Sequence, residues 1–108
     1  MVESDQRDLL LSLAYLYICC GRPWRALPML LLVLAQRTGD HECLRMLAHV
    51  YTVIRRGELA LVVLDCLDRL ETTPDPGNAL LRARALHQLG RLDEARTCFA
   101  HYTRHAAA

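Results

Sequence analysis

The chain has 108 residues, 53% of them hydrophobic and 23% charged, the balance of an ordered globular chain with room for one core. Thirteen basic residues against twelve acidic ones leave a formal charge of +1, and the arginines are scattered along the sequence. A nucleic-acid binder needs a basic face to displace counterions from phosphates, so that class is excluded.

The opening residues Glu3, Ser4, Asp5, Arg7 and Asp8 are polar and charged, unlike a secretory leader. The apolar run Leu9 to Cys20 is shorter than the ~20 residues a bilayer span needs. Gly21, Arg22, Pro23 and Arg25 separate it from the next run, so no direct membrane insertion is expected. Punctuation predicts helices over 7–20, 23–37, 41–55, 58–71, 77–89 and 92–105. Pro23 fits a first helical turn, where its missing N–H is harmless. Pro28 lies deeper and should bend the second helix or delay its start. Asp40, after Thr38-Gly39, is the expected N-cap of the third helix. The segment Thr72 to Asn78, with Pro74, Pro76 and Gly77, divides the fourth helix from the fifth. Ala106, Ala107 and Ala108 are expected to fray.

The sequence also repeats. At an offset of 34 residues Leu10 meets Leu44, Ala14 meets Ala48, Tyr17 meets Tyr51, Ala26 meets Ala60 and Leu30 meets Leu64. At a further offset of 35, Ala48 meets Ala83, Ala60 meets Ala95 and Leu64 meets Phe99. Thirty-four residues is the length of a tetratricopeptide unit. The small residues let neighbouring helices approach, and Leu30, Leu64 and Phe99 fill the wedge between hairpins. The expected fold is all-α: three tetratricopeptide-like hairpins, repeats about 7–38, 41–73 and 76–106, forming a short right-handed solenoid with a concave groove in a single domain, 1–108. Gly21 and Gly90 suit left-handed helix ends, whereas Gly57 lies two positions late, so the second hairpin's turn is expected to be looser.

First helices line the inner wall of such an array. The inward positions are Leu11, Tyr15 and Ile18 in the first unit, Arg45, His49 and Thr52 in the second, and Leu80, Arg84 and His87 in the third. One end of the groove is oily and the other polar and basic, which suits an amphipathic or extended segment with acidic groups. Leu11, Tyr15 and Ile18 also read as ordinary core. From Leu9 to Cys20 only Ser12 is clearly polar, and from Trp24 to Ala35 only Arg25 is charged. That is more apolar surface than a terminal hairpin buries within its own chain, so a partner chain is expected to cover it. The competing accounts are a homodimer of unpartnered copies through the same surface, or a tightly folded-back hairpin. Trp24 is either a partner-facing anchor or a plug over the first turn.

Chemistry is sparse. Cys98, His101 and His105 share a helix face at ligand spacing, but they offer three ligands only, and solvated histidines near a helix C-terminus are the simpler reading. There is no phosphate loop and no HExxH or GxSxG motif, and adjacent His41, Glu42 and Cys43 do not face one another. The five cysteines form no CxxC pair and read as buried reduced thiols in a cytosolic protein. No enzyme, cofactor or metal site is expected.

The opening LLLSLAYLYICCGRPWRA and the closing ARALHQLGRLDEARTCFAHY resemble the first and last hairpins of type III secretion chaperones of the SctY (YscY) family, tetratricopeptide-repeat type. The shared features are the long apolar helix, the Cys20-Gly21 turn, Ala26, Leu89-Gly90, Ala95 and Tyr102. The resemblance implies a bacterial cytoplasmic, non-enzymatic chaperone. It would bind a small exported component (SctX-like), stabilise it, and present it to the export gate protein (SctV-like) at the inner membrane. Two other readings stand beside it: a needle-subunit co-chaperone (SctG-like), and a free-standing tetratricopeptide adaptor that binds a short peptide. A metal sensor is the remote third.

Overall fold

The computed structural model describes residues 4–73 and 75–106. Six α-helices follow in order: α1 Ser4–Cys19, α2 Ala26–Gln36, α3 His41–Val53, α4 Gly57–Leu70, α5 Pro76–Gln88 and α6 Leu92–Ala106. A 3₁₀ turn, Pro23–Arg25, leads into α2. Among the described residues there is no strand. Each odd-numbered helix packs on the next as a hairpin, and adjacent hairpins meet through α2 against α3 and α4 against α5, with α1 and α5 also touching α3. The first and third hairpins do not touch among the described residues. Packing is therefore strictly between neighbours, and the molecule is drawn out to 42 Å along one axis. Pro74, Ala107 and Ala108 lie outside the described residues, as does Glu3, so the expected fraying is unaddressed beyond Ala106, the last residue of α6.

Local chemistry accounts for most of the helix ends. The Asp40 side chain accepts from the Cys43 N–H at 3.0 Å, the N-cap expected from sequence. It is held from the other side by Arg7, whose Nε and Nη2 reach its two carboxylate oxygens at 2.7 and 2.9 Å. This fork ties α1 to the start of α3. Its charge-assisted geometry holds the Asp40 carboxyl below the ordinary carboxylate range. Asp75 caps α5 by accepting from the Gly77 N–H at 2.8 Å, with Pro76 in the first turn. Pro28 sits in the first turn of α2, where no i−4 hydrogen bond is forfeited. The α-helical path accordingly begins at Ala26, after the 3₁₀ turn.

The three hairpin turns are one structure repeated. Gly21, Arg55 and Gly90 take positive φ values of 77°, 68° and 78°. In each turn the following arginine donates its backbone N–H five residues back: Arg22 to the Tyr17 carbonyl (2.9 Å), Arg56 to Tyr51 (2.7 Å) and Arg91 to Leu86 (3.0 Å). This is the Schellman helix ending. The second turn is thus not looser, as expected from the late Gly57, but equally tight, with Arg55 in the left-handed position. Gly57 serves another purpose. A Cβ there would lie 2.8 Å from the Ala85 carbonyl oxygen, so its absence lets the start of α4 approach α5.

The fully buried large side chains are Leu30, Leu44, Leu47, Leu64, Leu67, Val33, Val50 and Cys43, all in α2, α3 and α4. The small residues Ala14, Ala48, Ala26 and Ala60 have no exposed surface, and Ala83 and Ala95 each expose 7%. Burial weakens outward from this centre because the end hairpins have one neighbour and the middle hairpin two. The cysteine expectation fails in part: all five are free, but only Cys43 is buried, while Cys19 and Cys20 are exposed at the end of α1. Among the described residues no helix is long and apolar enough to cross a membrane.

Candidate functional site

The sequence-predicted groove residues divide among distinct environments. Leu11 and Thr52 are the most buried of them, each about 5% exposed or less, so each contributes little surface to a groove. Leu11 is turned into the core by the close approach of α3 to α1, and the Thr52 hydroxyl donates to the Ala48 carbonyl at 2.8 Å within its own helix. Ile18 is half-buried against the core. Arg45 bonds the Glu71 carboxylate at 2.8 Å and lies 3.4 Å from Asp75, which commits its guanidinium to the segment joining α4 to α5. His49 is half-buried; burial first, then the nearby Arg84 cation, lowers its pKa. Tyr15, Trp24, Arg84 and His87 are exposed, and Leu80 is half-buried.

Three depressions gather these residues along the helices. Tyr15 and Leu16 line one between α1 and α3, with Glu42 and Met46 on the far side. A second joins Ile18, Trp24 and His49 beside Pro23 and Ile54. The largest, about 910 Å³, lies at the far end, where Thr52 and Arg55 of the middle hairpin meet Leu80, Arg84, His87, Leu92, Arg96 and Phe99. It holds three arginines and a histidine and no carboxylate, with an apolar floor. The first hairpin thus exposes Tyr15, Leu16 and Trp24, whereas the arginines gather at the far end beside the exposed Leu92 and Phe99. Arg45 is absent from all three depressions.

The first hairpin leaves large apolar groups in water. Leu9, Tyr15, Leu16 and Trp24 are each more than half exposed, and Leu31 and Leu32 of α2 nearly so. Tyr15 sits one turn before Cys19, and the hydrogen bond between its phenol and the Cys19 sulfur, the phenol donating, raises the pKa of Tyr15. Trp24, left open between anchor and plug by the sequence, lies on the surface of the 3₁₀ turn at 56% exposure. The buried Cys43 thiol donates to the Leu30 carbonyl at 3.2 Å, and burial, then the Asp40 charge, pushes its pKa up to about 11. Such a thiol is not activated for nucleophilic work. Cys98 is half-buried beside exposed His101 and His105, whose ring centroids lie 4.0 Å apart with the planes tilted by 41°. Among the described residues no group of three forms a metal-ligating cluster.

Sequence reasoning missed the part played by Phe99. Its counterparts Leu30 and Leu64 are wholly buried, but Phe99 is 52% exposed, and Leu92 at the start of the same helix is 46% exposed. The signal was present in the repeat itself: among the described residues α6 packs on α5 alone, so the wedge residue of the third unit has no helix to fill against. Compared with protein-family models and with curated proteins, the chain matches none.

Proposed function

We propose that this chain is a tetratricopeptide-like chaperone that holds another protein, after the manner of the SctY-type secretion chaperones, and that it catalyses no reaction. The observation that carries this reading is the first hairpin's uncovered apolar surface, from Leu9, Tyr15 and Leu16 on α1 through Trp24 to Leu31 and Leu32 on α2. Isolated exposed apolar residues need no explanation, but the first hairpin carries six large ones, against four on the middle hairpin and three on the third, and that excess suits a partner. The repeated turns at Gly21, Arg55 and Gly90 support the solenoid, whose spacing of 34 and then 35 residues matches the sequence repeat. Tyr15, Ile18, Trp24, His49, Leu80, Arg84 and His87, spread over the three depressions, then border the proposed binding wall. The occupant is a small exported, SctX-like protein, kept soluble in the bacterial cytoplasm and handed to an SctV-like gate. A needle-subunit cargo (SctG-like) would use the same wall. The adaptor reading is weakened by Arg45, which is already paired with Glu71 and Asp75.

Co-expression with the small proteins encoded beside it, followed by purification, tests the reading. Tyr15→Asp and Trp24→Asp should each abolish co-purification of the partner while leaving helicity intact. Arg84→Glu should weaken docking less, since a rim charge acts mainly on the association rate. Wild-type recovery of the partner by both aspartate variants would refute the proposed wall.

A further inference from the structure

The two ends of this molecule are the two halves of its own internal junction. Inside the chain, each first helix covers the second helix of the hairpin before it. Cys43 and Val50 of α3 are fully buried there against α2, and Asn78 and Ala85 of α5 are 5% and 0% exposed against α4. The register equivalents on α1 are Leu9 and Leu16, which are 59% and 56% exposed. On the covering side, Leu30 and Leu64 are sealed by the helix that follows, and Pro23 and Gly57 are buried. Their equivalents on α6, Phe99 and Leu92, stand open. Leu9, Leu16, Leu92 and Phe99 are thus open at the ends while their equivalents are buried at the interior junctions, and the two open faces are the opposite sides of the same junction.

We infer that a second copy of this chain docks head to tail, with α1 of one copy seated on α5 and α6 of the next in the position a fourth hairpin would take. The inference does not rest on the chaperone reading, since it concerns the chain's own ends and needs no other protein. The interior junction fixes the register. Cys43 sits on the Leu30 carbonyl, so its counterpart Leu9 falls on the neighbour's Phe99. Leu16, one junction contact further along, falls toward Leu92 and Ala95, where the depression of about 910 Å³ has its apolar floor. Asp5 and Asp8, in the first turns of α1, run toward Arg104 and His105 in the last turn of α6, so the charges at that edge are opposite. Ser12 is the polar residue in the strip, standing where α3 has Met46 and α5 has Leu81. Contacts of this kind are heterologous and do not close by two-fold symmetry, so the product is a growing stack and not a fixed dimer. A protein that covers α1 would cap the stack.

Sedimentation of the full chain across a concentration series, with two charge variants and their mixture, tests this. The wild-type average mass should rise steadily with concentration, with no plateau at twice the monomer. Leu16→Glu and Phe99→Glu each destroy one half of the junction, so each alone should remain monomeric at all concentrations. An equimolar mixture has one intact head and one intact tail, and should give a species of twice the monomer mass and nothing larger. Both positions are more than half exposed, and circular dichroism confirms that the variants fold; Leu9→Glu and Leu92→Glu serve as the alternative pair. A monomeric wild type, self-association of either variant alone, or a mixture that stays monomeric would each overturn the proposal.

Discussion

Replacing Arg55 with glycine should stabilise the protein. Arg55 holds φ at 68°, between two equivalent turns where glycine does the same at 77° and 78°. A side chain in the left-handed region costs about 1–2 kcal/mol, because Cβ crowds the following carbonyl. Glycine gives back about 0.5–1 kcal/mol through its greater freedom in the unfolded chain. The net gain is about 0.5–1 kcal/mol, equivalent to a rise of about 2–6 °C in Tm for a domain of this size. Arg55→Ala is the comparator, since it removes the exposed guanidinium and leaves the backbone penalty in place. Thermal unfolding followed by circular dichroism should rank Gly above Ala, with Asn between them because it tolerates this conformation. A glycine variant no more stable than the alanine variant would refute the claim that the three turns are equivalent and that the middle one is strained.

The repeat register predicts unequal penalties at equal positions. Leu64→Ala removes a fully buried wedge and should cost about 2–5 kcal/mol in denaturant unfolding, whereas Phe99→Ala, half in water, should cost about 1 kcal/mol or less. Gly57→Ala forces a methyl against the Ala85 carbonyl and should destabilise by about 1–3 kcal/mol, read from the same unfolding curves. Asp40→Asn keeps a capping oxygen but loses the charge facing Arg7, and should cost about 1–2 kcal/mol at pH 7. The folded Asp40 carboxyl lies below its ordinary value, so its contribution is complete above about pH 4 and is lost as pH falls through the folded value. The gap between wild type and Asp40→Asn, measured by urea unfolding at several pH values, should therefore close on acidification.

Much of this architecture was legible in the sequence because helical hairpins are specified locally. Apolar spacing, Asp40, Pro23 and Gly90 each act within a turn or two, and the offsets of 34 and 35 residues then place the alanines at the helix crossings. Two features were not legible for a common reason: they depend on what lies across the chain. Arg55 in a glycine position is decided by the register of its neighbours, not by its own propensity. Leu11 and Thr52 read as groove positions by periodicity, but whether such a position faces a partner or the next hairpin depends on how closely α1, α3 and α5 approach. The exposure of Phe99 likewise depends on what packs against α6. The cysteines show the limit of composition: it cannot separate Cys43, whose thiol bonds the Leu30 carbonyl of α2, from Cys19 and Cys20, exposed where α1 ends.

Those two exposed cysteines allow a direct measurement on the first hairpin. Cys19 and Cys20 lie in water, while Cys43 is buried with its thiol pushed up to about 11. Residue-resolved thiol labelling should therefore be fast at the first two and slow at the third in the chain alone at low concentration. In the complex with its co-expressed protein, Cys19 and Cys20 should become protected while Cys66 and Cys98 keep their rates. Unchanged labelling of Cys19 and Cys20 in a purified, stoichiometric complex would mean that the partner leaves this hairpin uncovered, and would contradict the account.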